Sequence, residues 1–91
     1  MRIIGEIEGK GCKITVFKTD MRLIVKFEDS FYEQIFKFRQ SDELQGFEDI
    51  QRMIDDAFVN EVQQRFEQMR QSTLQLWQRF MPVPEEEEEI I

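Results

Sequence analysis

Bases and aromatics spaced along the first forty residues are the side chains best equipped for chemistry: Lys13, Phe17, Arg22, Lys26, Tyr32, Lys37 and Arg39. Lysines and arginines can follow a phosphate backbone and aromatic rings can stack on unpaired bases, so this set could hold a single-stranded nucleic acid. Acids form a second set. Glu48-Asp49 and Asp55-Asp56 are adjacent pairs, and Glu48 with Asp55, or Asp49 with Asp56, stand seven positions apart. On one helix that spacing is two turns, and oxygens so placed could bind a hard divalent cation. Acids near a helix N-terminus also serve as solvated partners of its dipole, and that is the expectation here.

Other chemistries lack their residues. The chain has no histidine, which removes the commonest general acid/base and most transition-metal sites. Its single cysteine, Cys12, cannot close an internal disulfide or a zinc site; it reads as a small core residue within a strand. Gly9-Lys10-Gly11 reads as a hairpin turn, not a phosphate-cradling loop. No catalytic residue, metal site or cofactor is expected, and the chain is expected not to be an enzyme.

Ninety-one residues fit one domain with a modest core. Apolar residues make up 41%, and nine are Phe, which should dominate that core. No apolar run is long enough to span a membrane. The opening Met1-Arg2-Ile3-Ile4-Gly5-Glu6 has an acid where a signal peptide needs an apolar stretch, so a cytoplasmic location is expected. The net charge of −7 is unevenly spread. Residues 1–40 hold eight bases and six acids, whereas residues 41–91 hold four bases and thirteen acids. The mildly basic first part keeps nucleic acid open as a partner.

The elements that must position these residues follow from periodicity. Ile3–Glu8, Cys12–Lys18, Met21–Glu28 and Phe31–Arg39 alternate apolar and polar residues and are separated by turn residues, the mark of an antiparallel meander. One face should carry Ile3, Ile7, Ile14, Val16, Leu23, Val25, Phe27, Phe36 and Phe38, with Tyr32 also inward. The other should carry Ile4, Phe17, Ile24 and Ile35 among Lys13, Arg22, Lys26, Glu33 and Lys37.

Ser41-Asp42-Glu43 offers N-capping chemistry, and no Pro or Gly occurs from Phe47 to Met81. The spacing predicts one helix over about 46–81. Counted from Ile54, steps of seven land on Glu61, Gln68 and Gln75, whereas steps of eleven join Phe47, Phe58, Met69 and Phe80. That period favours a nearly straight rod over a left-handed coiled coil. Thirty-four helical residues span ~51 Å, and a strand of seven or eight residues only ~24–27 Å. Phe47 to Val62 therefore suffices for the sheet, and Phe66, Met69, Leu76, Trp77 and Phe80 are the expected interface residues. Exposed, each would forfeit roughly 1.5–3 kcal/mol relative to burial. Pairing with a second copy is the leading expectation; a helix folding back at Ser72-Thr73 and an unknown protein partner are the others. Pro82 ends the helix, and the acidic segment 82–91 is expected to be a disordered tail.

The order of four strands and a long helix over residues 1–80 resembles the repeat of Whirly- and PUR-type single-stranded nucleic-acid binders. The resemblance lies in element order, without a motif matched residue by residue. It implies paired protomers and curved sheets; under this alternative the outer face itself supplies Lys13, Phe17, Arg22, Lys26 and Lys37 as the expected nucleic-acid-binding set. Glu85 to Glu89 followed by Ile90-Ile91 is similar to the tails of bacterial single-stranded-DNA-binding proteins, with glutamates for aspartates and no terminal Pro-Phe. That likeness implies a tail that recruits partners or competes for a basic face. Met1-Arg2-Ile3-Ile4-Gly5-Glu6-Ile7-Glu8, with Lys26-Phe27-Glu28-Asp29 further on, resembles small bacterial proteins of β-meander-plus-helix fold and unassigned activity. The expected whole is an α+β domain over 1–81, a four-stranded antiparallel meander with one long helix packed on one sheet face. Its expected role is homodimeric binding or scaffolding, with single-stranded nucleic-acid binding as the alternative.

Overall fold

The computed structural model describes residues 1–81; the expected acidic tail lies outside the described residues. Four strands, β1 (Arg2–Ile7), β2 (Lys13–Lys18), β3 (Arg22–Asp29) and β4 (Tyr32–Arg39), pair antiparallel in the order β1-β2-β3-β4. Period-two alternation puts the apolar set on one face. Across that face Ile7, Ile14, Phe27 and Gln34 lie in register, as do Gly5, Val16, Val25 and Phe36. Gly9 and Gly11 take positive φ in the first turn, a conformation glycine adopts without steric cost.

Strand β1 departs from simple alternation. Ile3 pairs with Phe17 and Gly5 with Val16, so Ile4 is an extra, bulged residue. The bulge exchanges the two isoleucines relative to the alternation: Ile3 is 60% exposed and Ile4 packs against the core. Gly5 then lies under Phe47, where an added Cβ would meet the ring at 2.5 Å. Cys12, expected within a strand, sits in the turn just before β2.

The helical part is two helices, not one. α1 covers Phe47–Met53 and α2 covers Asp56–Phe80. Ile54 is extended, and Asp55 starts α2 as its N-cap by accepting a hydrogen bond from the Phe58 N–H at 2.9 Å. α1 begins after Gly46, at the expected start of the helical part, and the Asp49 carboxylate accepts the Gln45 N–H at 2.8 Å. Both helices cover the same sheet face. Ile50, Ile54, Val59, Val62 and Phe66 join Ile7, Ile14, Val16, Leu23, Val25 and Phe27 in one core. The rings of Phe27, Phe36 and Phe58 meet edge to face with centroids 5.0–5.8 Å apart, the arrangement their quadrupoles favour.

Polar contacts fix the course of α2. Asp56 pairs with Lys10 at 2.8 Å, Gln63 Nε2 donates to the Lys10 carbonyl, and Arg70 pairs with Asp29 at 2.7 Å. Lys10 lies in the β1–β2 turn and Asp29 at the β3–β4 turn. In a meander these turns share one end of the sheet, so α2 crosses that end and leaves it. No bend occurs at Ser72-Thr73: Thr73 Oγ1 donates to the Met69 carbonyl and the helix runs on to Phe80. The fold-back alternative is thereby overturned.

Candidate functional site

The part of α2 that passes the sheet is the most unusual surface of the described residues. Twenty-five residues make α2 ~37 Å long. Phe66 is its last fully buried residue, leaving ~21 Å of helix as far as Phe80. Beyond Phe66, Met69 is half-buried, and Leu74, Leu76, Trp77, Phe80 and Met81 are exposed, with Trp77 at 57% and Phe80 at 71%. The rings of Trp77 and Phe80 stack on each other at 5.8 Å. They shield one another only in part.

Spacing ties this surface to the core. From Val59 the sequence recurs at alternating steps of three and four: Val59, Val62, Phe66, Met69, Thr73, Leu76, Phe80. Steps of this kind lie on one helix face. The stripe that meets the sheet through Phe66 therefore continues through Phe80, turning about the helix axis by only ~20° per seven residues. Of the five expected interface residues, Phe66 belongs to the chain's own core, because the sheet still lies beneath it. Met69 stands at the boundary, and Leu76, Trp77 and Phe80 face solvent. Beside the boundary a groove of about 480 Å³ opens between Tyr32 and Gln34 of β4 and Arg65, Met69, Ser72 and Thr73 of α2. Phe31, in the adjoining β3–β4 turn, is 94% exposed.

The outer sheet face is mixed. Ile3, Phe17, Ile24 and Lys37 form one row across it; Glu6, Thr15, Lys26 and Ile35 form the next; Lys13, Glu28 and Glu33 form a third. Lys13, Phe17, Arg22, Lys26 and Lys37 are thus brought onto one face, but acids interrupt them. Lys26 Nζ lies 5.5 Å from the Phe17 ring centroid and 3.9 Å from Glu28, so both residues are engaged within the chain. Tyr32, offered above as a stacking surface, packs against the core on the opposite face.

The carboxylate pairs disperse, since the break at Ile54-Asp55 puts them on two helices. Asp49 binds the Gln45 N–H and Arg52, Asp55 caps α2, and Asp56 binds Lys10. The Gln45 N–H and then Arg52 hold the Asp49 carboxyl below the usual range, and Lys10 does the same for Asp56. Among the described residues no group of three or more Cys, Asp and Glu is placed to hold a metal, and no helix is long and apolar enough to cross a membrane. Burial pushes the Cys12 thiol up, with a smaller opposing effect from Gln63, which disfavours the reactive thiolate.

Comparison with known protein families, curated proteins and solved structures returned no match.

Two features of the site escape a reading of α2 as part of one long helix. The first is the cap at Asp55. Its signal was present: Ile54 precedes the cap and Val59 follows at the fourth helical position, both 4% exposed, as in a hydrophobic staple. The second is the phase of the stripe. Ile54 is not helical, so counting from it starts in the wrong place, and the eleven-residue step from Phe47 to Phe58 crosses the break.

Proposed function

We propose that this chain is a non-catalytic cytoplasmic binding or scaffolding protein that pairs with a second copy through the projecting end of α2. The observation that carries this reading is the exposure of Leu76 and Phe80 on the continuation of the core stripe, with Trp77 exposed beside them. Scattered exposed apolar residues need no account, but a contiguous cluster rich in aromatics marks an interaction site. Closed two-fold pairing is the commonest way a soluble chain covers such a surface. Sedimentation at micromolar concentration should give the mass of a dimer, and Trp77→Ala with Phe80→Ala should shift it toward the monomer. Both side chains lie outside the core, so the variant keeps its fold. A compact monomer in the unaltered chain would end this reading.

A second reading, single-stranded nucleic-acid binding, draws on the gathering of Lys13, Arg22, Lys26, Lys37 and Arg39 on the outer face around Phe17. It requires oligonucleotide affinity that falls with salt and disappears in Lys13→Glu with Lys26→Glu.

A further inference from the structure

The stripe on α2 constrains more than the presence of a partner. We infer that the second copy lies antiparallel to the first, the two α2 helices meeting over Met69–Phe80, so that the partner's Phe80 seats beside Met69 at the end of the first copy's sheet. This rests on the self-association reading above.

Direction follows from sterics. One helix face serves both the chain's own sheet, up to Phe66, and the exposed segment beyond it. A mate laid parallel on Met69–Phe80 would carry its own N-terminal half back along the same face. The first copy's sheet already fills that space. Laid antiparallel, the mate's N-terminal half and its sheet run away from the first copy, past Phe80. Each sheet then sits at one end of a short two-helix rod.

Register follows from the same boundary. Antiparallel stripes at alternating steps of three and four place Met69 opposite the partner's Phe80 and Thr73 opposite the partner's Leu76, with two equivalent layers beyond the two-fold axis. A slide of seven residues toward the sheet would ask Phe66 to serve as an interface layer, and Phe66 is 1% exposed in its own core. A slide outward discards most of the contact. In the four-layer register no like charges face each other on the flanks: Arg70, which also holds Asp29 and Glu67 of its own chain, meets the partner's Trp77, a cation beside an aromatic ring, and Ser72 meets the partner's Arg79. Parallel pairing would instead oppose Arg65 to the partner's Arg70.

The end of the sheet receives the end of the partner's helix. The groove between Tyr32 and Met69 opens at this level. Phe31, at 94% exposure, lies two residues from Asp29, which holds Arg70 of the same α2. The pairing gives that phenylalanine an apolar neighbour, the partner's Phe80 or Met81.

Disulfide trapping tests the geometry and sedimentation tests the reading beneath it. In a full-length Cys12→Ser background, Ser72→Cys is combined with Arg79→Cys. Within one helix these positions stand ~10 Å apart, too far to bridge. Oxidation should give a covalent dimer whose linked peptides join position 72 of one copy to position 79 of the other. Links of 72 to 72 and 79 to 79 in a dimer would overturn the antiparallel arrangement while leaving self-association standing. A dimer without any link, unaffected by Trp77→Ala with Phe80→Ala, would place the interface elsewhere and overturn both. A monomer at every concentration would also overturn both. Phe31→Asp supplies a separate check: it should raise the dimer Kd about tenfold, the scale of one interface anchor, with the circular dichroism spectrum unchanged. An unchanged Kd would overturn the seating at the sheet end.

Discussion

At the scale of single residues, close fits decide what the alternating pattern cannot. The ring of Phe47 leaves no room for a side chain at Gly5: a methyl group there would lie 2.5 Å from ring carbons. Gly5→Ala should destabilise by about 1–3 kcal/mol, the range for overpacking, read as a lower urea midpoint. Phe47→Leu in the same chain should recover part of the loss, because neighbours couple. Asp56 is a residue-scale case of a different kind. Lys10 holds its carboxyl below the usual range, so the folded pKa is lower than the unfolded value of about 3.9. The stabilisation is therefore complete above the unfolded pKa and fades as pH falls through the folded one. Urea titrations of the chain and of Lys10→Ala should differ near neutrality and converge by about pH 2. A difference that persisted in acid would assign the effect of Lys10 to packing, not to charge.

At the scale of elements, the corner at Ile54-Asp55 organises the helical layer. It lets α1 and α2 cover different parts of one face, which a single straight helix could not. Asp55→Ala should cost about 0.5–2 kcal/mol through loss of the cap, measured by urea denaturation, with Asp55→Asn or Asp55→Ser restoring most of it. The four strands were legible because alternation reports directly on a half-buried sheet, and Leu23, Val25 and Phe27 fall where it puts them. The exchange of Ile3 and Ile4 was not legible, because the bulge answers to a residue in α1 far along the chain. The corner was half legible. Asp55 stands among many acids in this stretch, and only the pairing of Ile54 with Val59 distinguishes it as a cap. The exposed set Leu76, Trp77 and Phe80 was readable from lengths alone. Phe66 was misplaced by one turn, because strand length says how far a sheet extends but not how obliquely a helix crosses it.

At the scale of the whole molecule, the proposed pairing through the projecting helix would link stability to concentration. If two copies share Met69–Phe80, folding and association are coupled, and the thermal midpoint rises with protein concentration. Scanning calorimetry across a hundredfold range should show the rise, and the chain with Trp77→Ala and Phe80→Ala should lose it. A midpoint independent of concentration in the unaltered chain would count against the proposed pairing.

The irregularity in β1 has one more consequence at this scale. An open sheet has two outer strands whose free N–H and C=O groups invite any extended segment to join, the first step toward aggregation. Here β1 and β4 are those strands. The extra residue at Ile4 breaks the even repeat that an added strand would need, and β4 sets Glu33, Lys37 and Arg39 along its outer face. Both margins of the sheet are thus poor templates, which disfavours indiscriminate strand addition and would leave the helix as the surface open to the proposed pairing.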